Sequence, residues 1–297
     1  MMNINPVLLK ELKVRMRGWR AAGIVVLYLS IMALVAVLIV YTSYMSPYSS
    51  SIDPQAAIGT YTGLAVIQFI LIMFIVPALT AGAISGEREK QTLDLVLSTR
   101  LSPRSIIIGK LLASMSQIVL LIVASLPIFS MVFLFGGISV RDMLQLFGFY
   151  LATAVAVGSI GVFFSTYFKR TTASTVLTYG AVAMLAFGTI LVALFYIRIF
   201  YQLNYQKYFP LLYANPLAGF SSLIASQYGT GGGVNILPGF YVTNPAGMKG
   251  PAPWVINIIF DLVLSVILLI FASIRINPLR KGLLSLLRGR KKPVQTR

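Results

Sequence analysis

GAISGEREKQTLDLVLSTRLSPRSIIIGK, residues 82–110, lies between two long apolar runs. It is the densest charge cluster between two such runs and holds three of the seven acids in the chain. Read as a helix over 87–101, it places Glu87, Gln91, Asp94 and Ser98 on one face and Leu93, Val96, Leu97 and Leu101 on the other. Such a helix lies flat at a membrane surface. Ser102 and Pro103 mark a fresh start, with serine as the cap and proline at the first helical position. The order is therefore membrane helix, surface helix, membrane helix. A short amphipathic element pinned between two spans is well placed to receive a push from a soluble partner.

The composition sets the class. Hydrophobic residues make up 58% of the 297 and charged residues only 10%, against roughly 25% charged in a soluble domain. The expected fold is an all-α polytopic membrane protein. The chain has no Cys and no His. That removes disulfides, thiolate metal sites and the commonest general base. Basic residues precede a first apolar run at 21–41, which is long enough to span. No cleavage site is evident in it, so it reads as a retained span rather than a signal peptide.

Six spans follow from the apolar runs: 21–41, 61–85, 105–135, 143–168, 173–197 and 254–274. Before the first, Asn5 and Pro6 start a segment over 5–20. There Leu8, Leu9, Leu12, Met16 and Trp19 oppose Lys10, Lys13, Arg17 and Arg20. It reads equally as an interfacial helix on anionic headgroups or as a plain positive anchor. Residues 42–60 read as a polar loop. Span two contains Pro77, expected to kink it, and leads into the ladder Ala78, Gly82, Gly86. Small residues four apart let another helix approach, and packing or a direct cargo contact would each use them. Segment 198–253 is the longest outside the spans; its apolar part, 208–226, is interrupted by Pro210 and Pro216. A backbone broken in this way needs cover at membrane depth, so the segment reads as a re-entrant or interfacial outer hairpin. The tail, 277–297, sets Leu279, Leu283, Leu286 and Leu287 against Lys281, Ser285 and Arg288 and ends in a basic run. It reads as a second interfacial helix drawn to anionic lipid at about 1 kcal/mol per charge.

The net charge of +17 follows from topology. With both termini inside, the inner segments hold 5 Lys/Arg before span one, 5 in 86–110, 2 at 169–170 and 8 after span six. That is twenty of the 24, which leaves Arg141, Arg198, Lys207 and Lys249 outside. The reverse orientation would violate the positive-inside rule. The basic balance therefore does not point to nucleic acid.

The same stretch carries a family resemblance. Gly86, Glu87, Glu89, Thr92, Leu93, Leu97, Ser98, Pro103, Gly109 and Lys110 stand where the signature of ABC-2-type transporter permeases has them. Asn215, Pro216 and Leu217 resemble the Asn-Pro element before that family's last span. The resemblance implies a permease in the cell membrane, working with cytosolic ABC ATPase subunits and a second permease, identical or similar. It implies that 87–101 is the coupling helix, with Glu87, Glu89, Thr92, Leu93, Asp94, Leu97 and Arg100 docking the ATPase. It also implies that 5–20 is an elbow helix touching that ATPase. ATP and Mg would sit on the ATPase, with no cofactor on this chain. Export of an amphipathic cargo, such as a peptide antibiotic, lipid, glycan or drug, is the direction implied.

Asp261 is the one acid well inside a span, and a charge there must face protein or water. It could contact cargo in a translocation path, pair with Arg141 or Arg198, or be protonated. Glu87 and Glu89 lack a converging His or further acid, which argues against catalysis or a metal site. No Walker A, His-Glu-x-x-His or Gly-x-Ser-x-Gly motif occurs, so a second polypeptide must supply any nucleotide site. A channel or secondary carrier would need more midplane polar residues or inverted repeats. A scaffold or sensor subunit of an envelope-stress complex is the alternative from another class; its 87–101 helix would dock without transport.

Overall fold

The computed structural model describes residues 19–44, 54–98, 102–133, 138–200, 210–228 and 251–276. Most of the expected 5–20 helix, the 277–297 tail, Arg100 and the flanks of the 198–253 segment lie outside the described residues. The elements are α1 (Trp19–Tyr44), α2 (Pro54–Thr80), α3 (Ser85–Glu89), α4 (Leu93–Leu97), α5 (Pro103–Phe133) and α6 (Val140–Tyr167). There follow α7 (Thr171–Ala183), a π-helical turn (Met184–Gly188), α8 (Thr189–Phe200), a 3-10 turn (Pro210–Ala214), α9 (Pro216–Tyr228) and α10 (Pro253–Ile276). No strand occurs among the described residues. Among the described residues, six helices are long and apolar enough to cross a membrane: α1, α2, α5, α6, the run α7–α8, and α10. Helices suit these runs because hydrocarbon offers the backbone no other partner.

Several helix ends follow directly from the sequence. Ser105 N–H donates to Ser102 Oγ at 3.3 Å, so Ser102 caps α5 with Pro103 in its first turn. Ser139 and Asp142 form a capping box at the start of α6, with Ser139 N–H donating to Asp142 Oδ2 at 3.1 Å. Asn215 Oδ1 accepts from Leu217 N–H at 2.7 Å and Ala218 N–H at 3.1 Å, starting α9. The Asn215 amide then donates to Ala186 O at 2.8 Å and Thr189 Oγ1 at 2.6 Å. Ala186 lies in the π-helical turn of the fifth span, where the α-helical ladder is interrupted. Asn257 Nδ2 of α10 donates to Tyr213 O at 2.7 Å. Two asparagines thus tie the broken segment to the fifth and sixth spans.

The core is centred on α6. Phe69 of α2 stacks on Phe220 of α9 with centroids 4.7 Å apart, and Tyr150 of α6 packs beside both. Tyr150 OH donates to Ala65 O at 2.7 Å, which satisfies its one polar atom. Glycine lets α6 approach the end of α2. A Cβ on Gly161 would meet the Thr80 side chain and come within 3.2 Å of the Ala81 nitrogen. By contrast, α1 is only 11% buried along its apolar window.

Two expectations need correction. The region 42–60 is not all loop, because α1 runs to Tyr44 and α2 starts at Pro54. The surface element is not one helix over 87–101. It breaks between α3 and α4 at Gln91, whose φ is 58°. Gln91 N–H donates to Arg88 O at 3.1 Å and Thr92 N–H to Glu87 O at 2.9 Å, the paired bonds of a Schellman ending. The periodic face of Glu87, Gln91, Asp94 and Ser98 is therefore not formed.

Candidate functional site

The turn after α2 is stitched to two neighbouring spans. Ser165 Oγ of α6 accepts from the backbone N–H groups of Ile84 and Ser85 at 2.8 and 2.9 Å. Ser174 Oγ of α7 donates to Ala81 O at 2.7 Å. These bonds take up backbone groups that the end of α2 would otherwise leave orphaned.

Three consecutive charged side chains then reach three different spans. Lys110 of α5 donates to Glu87 Oε1 at 2.7 Å, and its own residue is only 2% exposed. Arg88 Nη1 and Nη2 donate to Phe168 O at 3.2 Å and Thr166 O at 3.1 Å. A cation there complements the carbonyl end of α6. Glu89 does the reverse for α7. Its Oε1 accepts from Thr171 N–H at 2.9 Å and its Oε2 from Thr171 Oγ1 at 2.6 Å. An anion at a helix N-terminus satisfies orphan N–H groups and favours the dipole. Glu87, Arg88 and Glu89 together hold the adjoining ends of α5, α6 and α7.

The residues expected to dock a partner differ in exposure and in the bonds they make. Glu87 is half-buried and engaged by Lys110, whereas Glu89 is exposed and holds Thr171 at the surface. Leu93 is buried, Leu97 is half-buried, and Thr92 and Asp94 are exposed. Thr92 Oγ1 donates to Glu87 O at 3.2 Å, while Arg100 lies outside the described residues. Leu95, which the helical pattern did not single out, is 70% exposed in the middle of α4. Its signal was that it fits neither face of the expected helix.

Ala78, Gly82 and Gly86 fall at the end of α2, in the turn that follows and in α3. Helix α2 ends at Thr80, so Ala78, Gly82 and Gly86 do not share one helical stripe. A Cβ on Gly82 would lie 3.2 Å from Thr171 Cγ2, and one on Gly86 3.9 Å from Thr171 Oγ1. Ala78 is exposed. A tighter approach is made by Gly158 and Gly161 of α6; the richness of that span in small residues was its only sign.

Asp261 sits on the polar side of α10 with Asn257 and Ser265, at 4%, 0% and 2% exposure. It faces the hydroxyl of Thr153 on α6. Among the described residues, Thr153 Oγ1, Ser222 Oγ, Asn257 Oδ1 and Asp261 Oδ2 are buried without a hydrogen-bond partner. Arg141 starts α6 as an exposed side chain and makes no ion pair with Asp261; the Arg198 side chain lies outside the described residues.

A family model described as ABC-2 family transporter protein matches residues 5–276. The match covers every described element. No curated protein matches the sequence.

Proposed function

The chain belongs to the ABC-2 transporter family, and from that premise we propose that it is the permease subunit of an ATP-driven exporter. A separate cytosolic ATPase carries ATP and Mg. Both termini lie in the cytosol, as the distribution of Lys and Arg favours, which puts α3 and α4 on the ATPase side. The supporting observation is the run Glu87, Arg88, Glu89, whose bonds reach α5, α6 and α7. An ATPase seated on the exposed face with Thr92, Asp94 and Leu95 would push on α4. The push would pass through the three charged contacts to three spans at once. The outer half of α4 is then the docking surface, and Glu87 and Glu89 transmit force instead of binding the partner.

A second permease, identical or similar, covers the exposed apolar faces of α1 and α7–α8. Leu34, Val37, Phe187, Leu191 and Phe195 are 63%, 66%, 63%, 66% and 70% exposed there. The cargo is amphipathic and passes between the two permeases. Asp261 is enclosed within one subunit between α10 and α6, and this favours a structural role over direct contact with cargo.

The test is purification of the tagged chain from its native membrane, followed by mass spectrometry and an ATPase assay. A stoichiometric nucleotide-binding ATPase, lost on Leu95→Lys with the permease still monodisperse, is the expected result. A chain that purifies intact with no such partner under mild detergent would overturn the proposal. Hydrolysis that no amphipathic compound stimulates would favour the scaffold or sensor reading.

A further inference from the structure

A cavity of about 610 Å³ opens between α4 and the adjoining ends of α6 and α10. Three cations from three elements line it: Arg88 of α3, Lys169 between α6 and α7, and Arg275 of α10. Among the described residues, Asp94 is the single carboxylate in the lining. Arg88 and Arg275 stand near enough to repel each other. Arg275 lies over the Tyr167 ring, 5.2 Å from its centroid. Lys169 has neither a hydrogen bond nor an ion pair among the described residues. Bringing like charges together costs free energy that one bound anion would offset. Nothing in the contacts of Glu87 or Glu89 requires this surplus of charge.

The surroundings choose the kind of anion. Arg275 ends a helix whose outer face is apolar for its last two turns: Ile267, Ile270, Phe271 and Ile274 are 44%, 51%, 51% and 42% exposed. This face runs along the membrane-spanning helix and ends beside the cavity. A ligand that uses both features has a phosphate at one end and hydrocarbon at the other. We infer that the cavity holds the phosphate of an anionic phospholipid, with its acyl chains along α10. An acidic side chain from a protein would use the cations but leave the apolar track bare. The cavity shares Asp94 with the proposed ATPase surface, but its three cations lie outside that surface, so the inference holds whether or not that assignment does.

The test is native mass spectrometry of the full chain in detergent with added phosphatidylglycerol or phosphatidylcholine. The comparison is between wild type, the double variant Lys169→Ala/Arg275→Ala, and a tail variant, Arg290→Gln/Lys291→Gln/Lys292→Gln. Thermal unfolding confirms that each is folded. If the double variant is not, Lys169→Ala alone, at an exposed side chain, takes its place. The expected result is one retained phosphatidylglycerol on wild type and on the tail variant, with binding weaker by roughly tenfold or more in the cavity variant. Phosphatidylcholine is not retained, and millimolar inorganic phosphate does not displace the lipid. Equal retention by the cavity variant, loss that follows only the tail variant, or equal retention of phosphatidylcholine would overturn the inference. So would displacement by inorganic phosphate, which would mark a free-anion site. Loss of a co-purifying ATPase with lipid retention unchanged would assign the cavity to an acidic protein partner and also overturn it.

Discussion

The Glu87 end of the bundle and the seam around Asp261 both place ionisable groups between packed helices. At the Glu87 end nearly every polar group has a partner on another element: Lys110 for Glu87, the end of α6 for Arg88, Thr171 for Glu89. Glu87 Oε2 is the exception. Along the seam the pattern reverses, and Thr153, Ser222, Asn257 and Asp261 each keep a buried atom without a partner. A satisfied charged network specifies one arrangement of the helices it joins. Unsatisfied groups inside a packed pair of helices weaken it. The first region is therefore built to move as a unit, and the second tolerates substitution.

The largest effect expected from this contrast is at Glu87. Glu87→Ala removes the carboxylate that the buried Lys110 ammonium contacts at 2.7 Å, at a cost of up to about 3–5 kcal/mol. Thermal unfolding of the purified chain should show it, and Glu87→Leu with Lys110→Met should recover most of the loss. A neutral Glu87→Ala would break the contrast at once. At the seam the sign is opposite. Asp261→Leu removes an unpartnered polar atom, so stability should hold or rise by up to about 1–3 kcal/mol; collapse of expression would show that the seam carries contacts essential to the fold. Next, Glu89→Ala removes the cap on α7 and should lower the unfolding temperature slightly. A double-mutant cycle with Thr171→Val should return the part carried by the Thr171 hydroxyl as coupling, and simple additivity would deny that contact. The smallest change is at Gln91. Its positive φ carries a penalty of roughly 1–2 kcal/mol for a residue with a Cβ, partly offset by glycine's greater unfolded-state entropy. Gln91→Gly should therefore raise stability by about 1 kcal/mol or less, whereas a continuous helix through 91 would be weakened by it.

The spans were legible because a hydrocarbon setting leaves long apolar runs few alternatives. Ser102–Pro103 and Asn215–Pro216 were legible because capping is a local matter between a side chain and the next turn. The break at Gln91 was not. Nothing in Lys90-Gln91-Thr92 forbids a helix, and the chain turns there while Glu87, Arg88 and Glu89 bond to groups 23, 78 to 80 and 82 residues away in sequence. Tertiary bonds outweigh a weak local preference. The same distance hid the role of Lys110, which the signature marked but could not pair. Gly158 and Gly161 escaped notice because a small residue shows its purpose only when the neighbouring backbone is in place. The cavity beside Arg275 was equally hidden, since its three cations come from separate parts of the chain.

The central claim is that the outer face of α4 receives an ATPase and that the charges behind it carry the motion into the spans. The most direct test is a photo-reactive residue placed at Leu95, which is 70% exposed on that face, and for comparison at Leu151, 37% exposed on the side of α6. In native membranes the account predicts an adduct between position 95 and a nucleotide-binding ATPase, with none from position 151. Absence of the adduct at 95, or equal adducts from both positions, would contradict it.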